Sequence, residues 1–407
     1  MLNGYRVLDL ADEKGFFSGK ILGDLGADVI KVEKPAGDAS RRIGPFYRNT
    51  PDPEKSLHWF ALNGSKRGIT LNLEDPEGRQ IFERLSATAD FIIESFPPGH
   101  MDKLGIGYDA LSARNPKLIM TSITPFGQTG PYKDYKGSDL TILAMSGLMS
   151  INGDKDRPPL RMCLDQSYYL ASTQAAAGTL LALQSRYLSG AGQRVDVSIY
   201  EVAVRANYRE PFRWEWEKAK TPRMGNIFAR GGLGYRQLWP SKDGYVTWMI
   251  MMENPKPVRG WVEWMKEEGK AGRWGDINWD EVTSFAKWSR EEVQAIQDAI
   301  ADFMLSHTTH ELETASIKRS LLLSPANSVE SVARDEQLIA RNYWKKIEHP
   351  ELANAITYPR FTYLASVGSN EIRSRAPLVG EHNSEVYGTE MEFSEETLSS
   401  LKERGII

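Results

Sequence analysis

The chain has one cysteine, Cys163, in 407 residues. It therefore contains no internal disulfide and no cysteine-built zinc site, a pattern that suits a reducing compartment. Long hydrophobic runs are missing too. One apolar stretch, Tyr245 to Met252, has eight residues with Thr247 among them, whereas a membrane-spanning helix needs about twenty. Nor is there an excess of one charge: 50 Lys plus Arg against 54 Asp plus Glu leave a net charge of −4 and no basic footprint for nucleic acid. Met1-Leu-Asn-Gly-Tyr-Arg6 runs straight into Val7-Leu-Asp-Leu10, without the charged head, apolar run and cleavage site of a signal peptide. Cytoplasmic residence is the expectation, with no membrane and no nucleic acid as partner. What is present is ordinary globular composition, 41% hydrophobic and 26% charged, which rules out wholesale disorder. At about 100–200 residues per domain, two to four domains are expected.

The first hundred residues alternate β-branched runs with amphipathic segments, the pattern of a parallel sheet with crossover helices. Strands are expected over Arg6 to Leu10, Asp28 to Glu33, Gly68 to Leu73, Asp90 to Phe96 and Lys117 to Thr124. A helix covers Ser18 to Leu25, and Asp75 caps another with Pro76 at its first position. Gln166 to Leu188 carries small residues and then leucines, which reads as a long, closely packed helix before the strand Val195 to Ile199. Composition shifts after Glu201, because every tryptophan except Trp59 lies at or beyond Trp214. A smaller α+β domain is expected there, opening with a strand over Tyr245 to Met252 and including a helix from near Ser289. The expected division is 1–200 for the large domain, 201–325 for the small one and 326–407 returning to the large one. The fold class is α/β, with a Rossmann-like large domain.

Several motifs fail on inspection. Gly15-Phe-Phe-Ser-Gly-Lys20 is one residue short of a phosphate loop, and Ile21 stands where a hydroxyl would hold magnesium. No G-x-G-x-x-G follows a strand, so dinucleotide binding is unsupported. His307-Thr-Thr-His310-Glu311 matches no zincin spacing, and a helix cap by Thr308 or Thr309 explains it better. The six histidines otherwise stand alone, so no metal is expected.

Five segments carry more information together: Val7-Leu-Asp-Leu10, Leu25-Gly-Ala-Asp-Val-Ile-Lys-Val-Glu33, Lys66-Arg67, Gly127-Gln-Thr-Gly-Pro-Tyr132 and Gly192-Gln-Arg-Val-Asp-Val-Ser198. In this order and separation the chain resembles the class III coenzyme A-transferases, the family of formyl-CoA transferase and carnitine CoA-transferase. Ala376-Pro-Leu-Val-Gly-Glu-His382 resembles the family's closing segment. The resemblance implies transfer of coenzyme A from an acyl-CoA to a free carboxylic acid, with coenzyme A as substrate and no tightly bound cofactor. It also implies a subunit whose chain threads through its partner, giving an interlocked homodimer.

By the same resemblance, Asp165 in Arg161-Met-Cys-Leu-Asp165-Gln is the carboxylate that attacks the thioester, through an aspartyl anhydride and an aspartyl-CoA thioester. From the residues alone Asp165 reads first as a helix cap, and only the resemblance favours the nucleophile. An aspartate is ionised at neutral pH and needs no partner base to act as nucleophile. The coenzyme A contacts implied are Asp12, Glu13, Lys14 and Gly15, then Lys34, Leu71, Ser95, Phe96, Lys103, Leu104 and Lys136. Formyl-CoA transferase has Asn at the position of Ser95 and Arg at that of Lys103, and a lysine offers a point charge rather than a fork. Gly231, Gly232 and Gly234 stand where that enzyme has a mobile active-site loop, although a plain hairpin turn also explains them.

Two alternatives accompany this reading. An α-methylacyl-CoA racemase of the same fold family would need a histidine base before an aspartate, where this chain has Gly137-Ser138-Asp139. A non-catalytic CoA-binding protein would leave Asp165 idle. The tryptophans Trp214, Trp216, Trp239, Trp248, Trp261 and Trp264 fit either an acyl pocket or a plain core.

Overall fold

Val7 and Leu8 are adjacent in the first strand and both are fully buried, although successive strand residues point to opposite faces. The sheet that holds them is therefore covered on both sides, as a parallel sheet with crossover helices must be. In the computed structural model, which describes residues 1–230, 233–361, 363–368 and 370–407, this sheet has six strands. They are β1 (Arg6–Asp9), β2 (Asp28–Glu33), β3 (Lys66–Thr70), β4 (Phe91–Glu94), β5 (Ile119–Thr124) and β6 (Arg194–Ser198). The spatial order is β3-β2-β1-β4-β5-β6 and every neighbouring pair is parallel. The expected α/β class is present.

One face packs Val7, Val29, Phe91 and Ile93 against Leu22 of the helix Phe16–Asp24 and Ala171 and Ala175 of the helix Gln166–Ser189. The small residues of the longer helix let it approach the sheet closely. Thr121 of β5 and Thr179 meet through their hydroxyls at 2.7 Å. The other face packs Leu8, Ile30, Ile69 and Ile92 against Phe82 and Leu85 of the helix Pro76–Ser86. Asp75 caps that helix, accepting from the Glu77 and Gly78 amides.

The chain divides into two units. The first combines Met1–Met149, Arg161–Lys220 and Arg341–Ile407, and the second combines Ser150–Leu160 and Thr221–Ala340. The chain thus leaves the first unit twice, briefly over Ser150–Leu160 and then from Thr221 to Ala340, where the sequence suggests a single excursion over 201–325. The composition shift misplaces the exit because the helix Ile199–Ala206 still buries Ile199 and Ala203 in the first unit's core. On return, the tail seals the sheet's edge. The Gly68 amide of β3 donates to His382 Nδ1 at 3.1 Å, and that of Thr70 to Asn383 Oδ1 at 2.9 Å, which satisfies donors an edge strand would leave open.

The second unit has an antiparallel sheet of Leu238–Pro240, Tyr245–Thr247 and Ser324–Pro325 beside the helices Lys256–Glu267, Arg290–Leu305 and Thr309–Arg319. The strand expected to reach Met252 ends at Thr247; beyond it Trp248 and Ile250 enter the core and Met251 and Asn254 close a turn before Pro255. Trp239, Trp248, Trp261 and Trp264 are core residues, whereas Trp214 and Trp216 are exposed on the helix Arg209–Glu217 of the first unit. Ser289 and Thr308 each start a helix with a capping box, the latter closed by Glu311.

Candidate active site

The carboxyl ends of β1 to β5 open onto one cavity of about 960 Å³. β1 and β4 are neighbours from which the strand order runs in opposite directions, and open α/β sheets bind ligands at that reversal. Charges buried behind the cavity hold the loop after β1. Lys66 Nζ reaches Asp9 Oδ2 and Asn63 Oδ1, each at 2.7 Å, and the Phe16 carbonyl at 2.9 Å. Lys31 Nζ donates to the Ala11 carbonyl at 2.5 Å, and the Ala11 amide donates to Asp9 Oδ1 at 3.0 Å. Burial lowers Lys66 to about 8, against the opposing pull of Asp9. The two lysines thus grip carbonyls on either side of Asp12–Gly15. Gly19 makes room, since a Cβ there would lie 2.2 Å from Asp9 Oδ2. Lys20 pairs with Asp24 within its own helix, so this turn is not a phosphate loop.

Nine of the eleven residues expected to contact coenzyme A line this cavity: Asp12, Glu13, Lys14, Lys34, Leu71, Ser95, Phe96, Lys103 and Lys136. Gly15 and Leu104 do not. Gly15 sits behind the loop, where a Cβ would lie 2.7 Å from Ala11 Cβ, and Leu104 packs against the core of the sheet's second face. Asp12 pairs with Lys14, and Glu33 is held by Arg41 through two contacts of 2.7 Å. Burial, then the neighbouring Asp12 charge, pushes the Glu13 carboxyl up. Burial pushes Glu94 up to about 7 while its Oε2 accepts from the Phe96 amide at 2.7 Å. Lys34, Lys103 and Lys136 form no ion pair among the described residues, and neither do Arg42 and Lys133. Those last two were not anticipated; their signal was a basic residue in the loops after β2 and β5. The walls therefore offer unpaired cations above an apolar floor, which suits a phosphorylated ligand with a ring at one end.

Asp165 is not part of this lining. It stands at the N-terminus of the 24-residue helix Gln166–Ser189, and its side chain makes no capping hydrogen bond. Its Oδ1 instead accepts from Arg161 Nη2 at 2.9 Å. The helix it heads touches the Asp12–Gly15 loop, because Ser172 Oγ donates to the Lys14 carbonyl at 3.2 Å. Burial, then the Glu13 charge, raises the Tyr168 hydroxyl, which accepts from the Asp139 amide at 3.1 Å. His58 Nε2 is buried without a partner; burial lowers that imidazole while the Asp165 charge opposes the shift.

Ser138, where a racemase of this fold would have its histidine base, caps the helix Asp139–Met145 in a capping box with Thr141. His307 is held by Glu268 at 2.8 Å and the Phe303 carbonyl at 2.9 Å. Among the described residues no cluster of three or more His, Cys, Asp or Glu side chains is arranged for a metal. Gly231 and Gly232 lie outside the described residues, and Gly234 is within the strand Leu233–Arg236.

Residues 2–383 match the model of CoA-transferase family III. The chain belongs to this family. It is similar to a subunit of succinyl-CoA:(R)-benzylsuccinate CoA-transferase from Thauera aromatica, 35% identical over 94% of this chain and 92% of the relative. It is also similar to succinyl-CoA–D-citramalate CoA-transferase from Chloroflexus aurantiacus, 30% identical over 100% of this chain and 98% of the relative. Among solved structures, a CAIB/BAIF family protein from Brucella suis aligns with a TM-score of 0.82 at 28% identity, over 95% of this chain and 98% of that one. The protein is an enzyme that transfers coenzyme A between an acyl-CoA and a carboxylate, with coenzyme A as substrate. Among the described residues no helix is long and apolar enough to cross a membrane.

Proposed function

We propose that Asp165 is the nucleophile of this transfer and that the cavity at the ends of β1 to β5 binds coenzyme A. The observation that carries the reading is the Asp165 carboxylate itself, which heads a long helix without capping it. Its carboxylate attacks the carbonyl carbon of the donor thioester, the C–S bond breaks, and a mixed anhydride and CoA thiolate form. The thiolate then attacks the aspartyl Cγ, releasing the first acid and leaving an aspartyl-CoA thioester. The acceptor carboxylate attacks that Cγ to regenerate an anhydride and thiolate, and the thiolate attacks the new acyl carbonyl. The donor's thioester is exchanged for the acceptor's, so no thioester is consumed in the net reaction and Asp165 ends as a free carboxylate. Lys34, Lys103 and Lys136, joined by Arg42 and Lys133, are placed to meet the phosphates of coenzyme A. As substrates we assign succinyl-CoA and a dicarboxylic acid, because both relatives above are named for succinyl-CoA and a dicarboxylate.

The enzyme is assigned to the cytoplasm, where a chain with the single, exposed cysteine Cys163 stays reduced. It is assigned as a homodimer, supported by exposed apolar side chains on the helices Gln166–Ser189 and Arg209–Glu217: Leu181, Leu188, Phe212 and Trp216. Sedimentation at low micromolar concentration that found a folded monomer would remove the dimer. The test of the nucleophile is chemical trapping: with succinyl-CoA present, hydroxylamine converts the activated aspartyl group to a hydroxamate, and peptide mapping places it at Asp165. A hydroxamate at another residue, or none, would refute the assignment.

A further inference from the structure

We infer that Arg161 is the oxyanion donor for the acyl exchanges at Asp165, held for that task by the buried Asp139; this rests on the reading of Asp165 as nucleophile. Arg161 reaches Asp139 Oδ2 through Nε at 3.1 Å and Nη2 at 2.9 Å, and the same Nη2 reaches Asp165 Oδ1 at 2.9 Å. Asp139 is 3% exposed, and its other oxygen accepts from the Ser167 amide at 2.9 Å and the Ser167 hydroxyl at 2.7 Å. Both oxygens of Asp139 are thus fully engaged, so its place is fixed by the backbone of the helix that Asp165 heads. A guanidinium tethered in this way cannot swing away when Asp165 loses its charge.

The local backbone points the same way. Leu164, immediately before Asp165, adopts φ of +60°, a left-handed conformation that is uncommon for a leucine and concentrates at functional positions. Its carbonyl lies 3.4 Å from Arg161 Nη2, so the strained residue and the nucleophile share one donor.

The chemistry follows from which oxygen is occupied. Asp165 Oδ1 is taken by Arg161, while Oδ2 accepts no hydrogen bond among the described residues. Oδ2 is therefore the attacking oxygen. When it bonds to the donor's carbonyl carbon and the thiolate leaves, Oδ1 becomes the carbonyl oxygen of the aspartyl anhydride. Thiolate attack on Cγ then moves a full negative charge onto Oδ1, where the Arg161 N–H already points. The tetrahedral centre collapses by expelling the first acid as carboxylate. The same charge forms on Oδ1 when the acceptor carboxylate attacks the aspartyl-CoA thioester. Donors aimed at a developing oxyanion contribute about 10²–10³ in rate.

The experiment uses the full-length enzyme with succinyl-CoA and follows the aspartyl-CoA thioester by intact mass after acid quench, together with hydroxamate mapping at Asp165. Wild type should form the thioester at Asp165, and Arg161→Gln should form it about 10²–10³ times more slowly with the acyl-CoA KM nearly unchanged. Arg161→Gly should recover part of the rate with added guanidinium ion, a response that lost packing would not give. Arg161→Lys, which keeps the charge, covers the case in which the other variants fail to fold and should retain an intermediate rate. Thioester formation at the wild-type rate in folded Arg161→Gln would overturn the role of Arg161 while leaving Asp165 as nucleophile. Absence of any wild-type adduct at Asp165 would overturn the nucleophile, and this inference with it.

Discussion

Ser95 and Asp12 lock the two central loops of the first unit together. Ser95 Oγ donates to Asp12 Oδ1 at 2.7 Å and accepts from the Asp12 amide at 2.8 Å. The pair spans the reversal of strand order, joining the loop after β1 to the loop after β4. Ser95→Ala leaves the Asp12 amide without its acceptor and removes one donor from the Asp12 carboxylate, which keeps Lys14. We expect a loss of about 1–2 kcal/mol of stability, read from denaturant midpoints, and a weaker acyl-CoA Kd. Unchanged binding would mean that the cavity is not where coenzyme A sits.

Glu94 should make the enzyme less stable as pH rises. Burial holds its folded value near 7, against an ordinary value of 4.5, so between those limits the folded state binds more protons than the unfolded one. The slope of stability with pH is then negative across that window, and the loss is complete above it. The difference corresponds to about 3 kcal/mol. Glu94→Gln keeps an acceptor for the Phe96 amide and removes the titration. Denaturation midpoints should show a gain over wild type at pH 8 and little change at pH 5, and an equal gain at both would contradict the assignment.

The fold was legible wherever local signals and burial agree. Asp75-Pro76 announced a capped helix because the side chain and the proline act within one turn, and the alternation of strands and helices announced the parallel sheet. The run Tyr245 to Met252 misled because a strand and a buried turn share its apolar composition. Two buried cations were silent. Lys31 and Lys66 look like surface charges in their strands, and the partner of Lys66, Asp9, is 57 residues away. Arg161 is only four residues from Asp165, yet its anchor Asp139 lies 22 residues upstream. Gly15 and Leu104 were assigned to coenzyme A by position in a motif, which does not distinguish a lining residue from one packed behind it.

Removing charge at Lys34 and Lys136 should weaken acyl-CoA binding without touching the fold. Both line the cavity, both are exposed, and neither forms an ion pair among the described residues. Exposed charges act through solvent, so each change to Gln should cost about 1 kcal/mol, roughly fivefold in Kd, at low salt. The double variant should also show a shallower dependence of Kd on salt than wild type. Equal salt slopes would assign phosphate contact to other cations of the wall.

Asp165→Asn separates nucleophile from helix cap more cleanly here than at most helix starts. A capping aspartate bonds the amides of its first turn, and asparagine replaces it with little loss. Asp165 makes no such bond; among the described residues its side chain pairs with the half-exposed Arg161, and such pairs contribute about 0–1 kcal/mol. Stability should therefore change by less than about 1 kcal/mol in Asp165→Asn. Activity should fall by more than about a thousandfold, since the amide oxygen is a poor nucleophile and cannot regenerate a carboxylate leaving group. Tm by calorimetry and initial rates with succinyl-CoA measure the two sides independently. Intact mass confirms that the Asn has not deamidated to Asp. A folded, mass-verified Asp165→Asn enzyme with wild-type turnover would place the covalent step elsewhere in the chain.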